Sequence, residues 1–236
     1  MGRFARTVGA VSIVAAPVLV GAADLLRMMS EQATDEVGTV GESGGAEVLA
    51  QSAAIARNLA LYEGAAWLAL AGALVTIPAV AAIWALSKDR SRAWAWSGLV
   101  LGVLGVFGQT VHLVGYYAHQ LLFATDVEPA VGSQISTALE SQPYFTVLFI
   151  PFFFAMLAYI PQAVGLRRAK VIPLWATVVV IATTVMFAVV ESTLISSVLG
   201  ILGLVVGLAP AAYGMTRAQR YELSVVTAER LDPAVV

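Results

Sequence analysis

The chain has 236 residues, of which 59% are hydrophobic and 12% charged, with a formal net charge of -2 and a mean hydropathy of +0.85. This balance argues against a water-soluble fold, and it excludes nucleic-acid binding, which needs a concentrated basic surface. The absence of cysteine excludes disulfides, thiolate metal sites and thiol catalysis, leaving only His and carboxylate as metal ligands.

A bilayer core about 30 Å thick takes roughly 20 mainly apolar residues per helix. The first such run, 7–28, follows Arg3 and Arg6. It is read as a retained span, although Val20-Gly21-Ala22 has the small residues of a signal-cleavage site. The next segment carries Glu31, Asp35, Glu36, Glu42 and Glu47 and turns helix-like from Ala46. This predicts an external loop and helix over 30–58 that leads into the second span. Spans two (59–86) and three (94–123) flank Lys88, Arg90 and Arg92, and a second acidic loop, 120–143, contains Asp126, Glu128 and Glu140. Spans four (144–166) and five (172–190) flank Arg167, Arg168 and Lys170, and span six covers 193–215. Residues 1–216 thus form one transmembrane domain, and 217–236 form a tail expected as a short helix with a frayed end.

Runs this apolar must close their backbone hydrogen bonds internally, and no alternating polar pattern marks a barrel. The predicted fold is therefore all-α, a polytopic transmembrane bundle. Lys and Arg resist translocation, and an N-terminus inside places every cationic segment on the inner side except Arg27 and Arg57. Six spans with both termini inside is the arrangement that keeps the alternation.

Ionisable groups within spans are costly and tend to face a bundle interior or wet cavity. Counted from the inner helix ends, Asp24, Glu63, His112 and Glu191 reach a shared depth near the outer boundary. Gln109, His112, Tyr116 and His119 step by three, four and three, giving the third span a polar stripe. These residues predict an outward-facing pocket for a small ligand or cation. No metal or other cofactor is expected, because zinc takes three or four ligands and His112 and His119 lie two turns apart on one helix. Trp96 and Trp175 each lie 16 residues before a polar position, His112 and Glu191, a weak echo of two parallel hairpins.

Gly98, Gly102, Gly105 and Gly108 form one small-residue ridge, and Gly200, Gly203 and Gly207 another. Such ridges let helices approach closely. Packing within the chain is their ordinary use, with a second copy or a membrane partner as the alternative. Pro78, Pro151, Pro161 and Pro210 interrupt spans as candidate kinks.

The segment Arg167-Arg168-Ala169-Lys170-Val171-Ile172-Pro173-Leu174-Trp175 resembles the inner-loop pattern of uncharacterised six-helix bacterial membrane proteins, chiefly actinobacterial, of a domain-of-unknown-function family. The segment from Arg92 to Gly108 looks like their third helix. That resemblance implies architecture alone. Gly41-Glu42-Ser43-Gly44-Gly45 is similar to the Gly-Asp-Ser-Gly-Gly signature of chymotrypsin-like proteases, but a nucleophile needs a rigid turn and an oxyanion hole, which a loop without strands does not supply.

The leading expectation is a non-enzymatic membrane protein, in contact with lipid, that binds or passes a small ligand or ion from outside, with no catalytic residues. The alternatives are an enzyme acting on lipid headgroups with His112 as base and Glu63 or Glu191 as partner, and a structural or regulatory membrane subunit.

Overall fold

Apolar segments in lipid must satisfy their own amides and carbonyls, and in the computed structural model every regular element among the described residues is a helix. The structure describes residues 2–31, 44–190 and 193–231, of which 44–49, 129, 140, 145–146 and 218–231 are described by backbone alone. Five helical stretches are long and apolar enough to cross a membrane: Arg3–Glu31, Leu59–Ser87, Arg92–Thr125, Val147–Arg168 and Leu194–Arg217. The expected fifth span is shorter. It is a helix of 16 residues, Leu174–Val189, or about 24 Å at the α-helical rise.

Helix α1 (Arg3–Glu31) packs chiefly along α3 (Leu59–Ser87) and α10 (Leu194–Leu231). Helix α4 (Arg92–His112) packs on α7 (Pro143–Leu157), α8 (Tyr159–Arg168) and α3, while α9 (Leu174–Val189) packs on α10. A core around Ile13, Ile83, Leu166, Val180 and Leu208 joins α1, α3, α8, α9 and α10. Toward the other end, Tyr62 and Tyr117 form a second core with Ile55 and Ala65. Val103, Phe107, Phe153, Val178 and Leu202 are exposed, an apolar girdle far larger than a water-soluble surface carries.

Pro161 explains why the fourth apolar run divides into α7 and α8. Proline lacks an amide hydrogen and its ring crowds the carbonyl four residues back, and the helix is interrupted at Ala158. Pro78, Pro151 and Pro210 lie inside helices that continue past them.

Both glycine ridges face neighbouring helices of the same chain. A Cβ on Gly105 or Gly108 would collide with the α7 backbone at Ala155 or at Pro151 and Phe152. Gly98 and Gly102 lie against Gln162 and Val80, whereas Gly200, Gly203 and Gly207 lie against Phe187, Thr183 and Val180 of α9. Those faces are already covered, so a second copy would have to meet another surface.

At one end, α2 (Gly44–Arg57) packs on α5 (His119–Thr125) and α6 (Pro129–Glu140), forming a cap. The external helix expected before the second span is α2, separated from α3 by Asn58. The expected 120–143 loop contains most of α5 and all of α6. Pro129 at the start of α6 has the fixed φ that suits a first helical turn, and Gly132 lets α6 settle against the Phe123 ring. At the opposite end, Arg90 Nη1 donates to the Ala169 carbonyl at 3.1 Å, which brings the two basic loops together. Instead of a separate tail helix, α10 continues unbroken from the span to Leu231.

Candidate functional site

Asp24, Arg27 and Glu31 stand three and four residues apart on α1, the spacing at which helical side chains meet. Arg27 Nη2 donates to Asp24 Oδ1 at 2.7 Å and Nη1 donates to Glu31 Oε2 at 2.6 Å. The arginine side chain is 18% exposed, Asp24 32% and Glu31 15%, so both pairs are largely withdrawn from solvent.

The group extends across the bundle. Ser197 Oγ, from α10, donates to Asp24 Oδ2 at 2.9 Å. Tyr116 OH donates to Glu31 Oε1 at 3.0 Å and accepts from Gln51 Nε2 of α2 at 2.8 Å. Gln120 Nε2 of α5 donates to Gln51 Oε1 at 3.1 Å. The Arg27 guanidinium also lies 5.7 Å from the Tyr116 ring centre, within cation–π range. One continuous polar chain therefore ties α10, α1, the third span and the cap. Two carboxylates share a single guanidinium within it.

One turn of π-helix, Leu113–Ala118, joins α4 to α5 and sets which residues of the third span reach this chain. Its wider turn shifts the helical register, so Tyr117 is buried beside Tyr116 and the inward face continues through Gln120 rather than His119. His119 instead lies against Phe123, ring centres 4.0 Å apart.

His112 sits one turn below Tyr116 inside an aromatic layer. It stacks between Tyr116 and Phe152, at 5.0 and 4.4 Å, with Tyr117 and Phe149 presenting edges. Its buried Nδ1 has no hydrogen-bond partner among the described residues. Below that layer, Gln109 lines a cavity of about 20 Å³ together with Thr76, Tyr159 and Gln162. The volume suits a single water. The buried Gln109 Oε1 has no partner among the described residues, while Gln162 Nε2 donates to the Gly98 carbonyl at 3.2 Å.

Of the residues predicted from sequence, the structure brings Asp24 and Tyr116 into one network, with His112 and Gln109 in successive layers beneath. Glu63 is exposed and stands outside it. Glu191 and the serine of the protease-like stretch, Ser43, lie outside the described residues. Among the described residues no three His, Asp or Glu side chains are grouped to hold a metal. Sequence reasoning missed Arg27, Glu31, Gln51, Gln120 and Ser197. The acid-base-acid spacing of Asp24, Arg27 and Glu31 is a local signal for the first two; the others depend on tertiary packing.

Compared with protein-family models, curated proteins and solved structures, the chain matches none. The functional reading therefore rests on geometry.

Tyr116→Phe removes both the donor to Glu31 and the acceptor of Gln51. It is expected to cost about 1–3 kcal/mol, the range for leaving buried polar groups unpaired. Amide hydrogen exchange in 50–57 should accelerate as the cap loosens. Unchanged exchange would mean that the cap is held by its apolar contacts alone.

Proposed function

We propose that the chain is a multi-pass protein of the bacterial cytoplasmic membrane that crosses six times, keeps both termini inside and binds one small cation from the outer side. The cation is a proton or a monovalent metal ion. Several features support the topology. Each basic loop and each terminal cationic segment falls on one side under six crossings, and Arg90 joins the two basic loops. The short α9 can span by local thinning of the bilayer, an adjustment that costs fractions of a kcal/mol per Å.

The observation that carries the binding reading is the pairing of two carboxylates with one guanidinium beneath the cap. In a low-dielectric setting an uncompensated negative charge is costly, and one added positive charge neutralises it. Asp24, the most exposed of the three, is the side of approach. The aromatic layer around His112 separates this site from the cavity lined by Gln109, which favours binding over passage. That layer also removes support from the enzyme reading, since no hydrogen bond joins His112 to a carboxylate among the described residues.

Thermal unfolding of the purified protein tests the proposal, in sodium, potassium or lithium against choline at constant ionic strength, and over pH 5–8. A ligand that binds only the folded state raises its apparent stability with concentration. A saturable rise with one metal ion, or with falling pH, is expected in the wild type and should be absent in Asp24→Asn. If wild type and variant respond alike to every cation and to pH, the site is structural and the membrane-subunit reading replaces this one.

A further inference from the structure

The inner ends of α3, α4 and α8 meet closely. A Cβ on Gly165 of α8 would lie 3.5 Å from Trp94 Cβ and 3.6 Å from Ser87, and the Trp84 and Trp96 rings meet edge to face at 5.6 Å. Cations ring this junction. Lys88 Nζ lies 5.0 Å from the Trp84 ring centre and the Arg168 guanidinium 5.7 Å from that of Trp94. Lys88, Arg90, Arg92, Arg168 and Lys170 are all exposed, and Asp89 is the one acid in the two loops. Next to the cations the surface becomes apolar: Trp96 is 46% exposed, Trp175 52% and Leu174 59%.

Lys170 adds a second, independent observation. It has φ 60, the only positive φ of a non-glycine residue among those described, and Val171 N donates to the Leu166 carbonyl at 2.9 Å. This is a helix C-cap in which glycine is the favoured residue. A lysine here keeps a cation at the junction despite its steric cost, and retained backbone strain clusters at functional positions.

We propose that this junction binds the phosphate headgroup of an anionic phospholipid. Lys88, Arg168 and Lys170 surround the phosphate, and the acyl chains run along the exposed Trp96, Trp175 and Leu174 surface. Basic pockets between membrane helices have the charge and depth for such headgroups, and tryptophans settle at the same level. The adjoining apolar surface favours a lipid over a soluble anion, which has nothing to place there. This inference does not depend on the cation site at the opposite end.

Quenching of tryptophan fluorescence by brominated lipid tests the proposal. The protein carries Trp67→Phe to silence the tryptophan distant from the junction, and bilayers contain brominated phosphatidylglycerol or brominated phosphatidylcholine. The relative binding constant is expected to favour phosphatidylglycerol by at least about fivefold, the contribution of one well-placed cation, and to weaken as salt screens the charges. The combined Lys88→Gln, Arg168→Gln and Lys170→Gly variant should bring the ratio to about one. Lys170→Gly alone should lower the ratio while leaving the unfolding temperature no lower. A wild-type ratio near one, or an unchanged ratio in the combined variant, overturns the assignment. Loss of the preference on adding inorganic phosphate at constant ionic strength also overturns it, since the site would then select soluble anions. If the combined variant does not fold, the wild-type ratio and its salt dependence decide.

Discussion

Arg27→Met is expected to destabilise the protein by about 2–4 kcal/mol, less than removing one partner from a fully buried ion pair because Asp24 keeps 32% of its side chain exposed. The variant leaves Asp24 and Glu31 facing one another without the guanidinium that both now contact. Most of the loss comes from stranded charge rather than from lost packing. Adding Asp24→Asn and Glu31→Gln to Arg27→Met should therefore recover most of the stability, even though no ion pair is restored. Equilibrium unfolding in detergent measures both. A loss below about 1 kcal/mol for Arg27→Met would place the triad among hydrated surface pairs, and the uncompensated charge would then have no bearing on cation binding.

The second large effect is expected at Gly108. A Cβ there meets the backbone of Pro151 and Phe152, which cannot rotate away as a side chain can. Gly108→Val must therefore push α4 from α7, with an expected cost of about 3 kcal/mol or more and loss of folded protein on size-exclusion chromatography. Gly64→Ala is the control. Its nearest neighbour would be Leu26 Cδ1 at 3.6 Å, an ordinary contact, and alanine favours a helix interior by roughly 0.5–1 kcal/mol. Equal losses at both positions would mean that the α4–α7 contact is looser than the glycine packing implies.

The apolar runs made most of the helices legible, because lipid forces the backbone to close on itself and a run of sufficient length permits few alternatives. Helices α1, α3 and α10 begin within a few residues of the expected bounds. The cap was half legible. The spacing from Leu49 to Leu59 marked α2, whereas α6 was hidden by a loop composition that Pro129 alone interrupted. Intramembrane charge drew attention to Asp24, which the structure ties into the polar chain, and to His112, which it sets in the aromatic layer, but depth alone cannot say which way a side chain points. Glu63 shares the depth and faces outward. The third span shows the same limit differently: a strict helical period selects His119, and the π-helical turn delivers Gln120. Gln51 and Ser197 come from elements far away in the chain, and no local pattern ties either to Asp24 or Glu31.

The pairing of Arg27 with Asp24 and Glu31 also bears on how α1 enters the bilayer. Both contacts lie within a single helix, so they can form as soon as α1 does and need no other helix. In the topology proposed above, with both termini inside, the C-terminal end of α1 would have to be carried across, and a lone arginine near that end would oppose the transfer. Paired in advance, it travels as part of a group bearing one net negative charge. In that topology the triad would let a cation cross against the usual bias of membrane insertion, and the folded bundle would then keep it at the outer boundary.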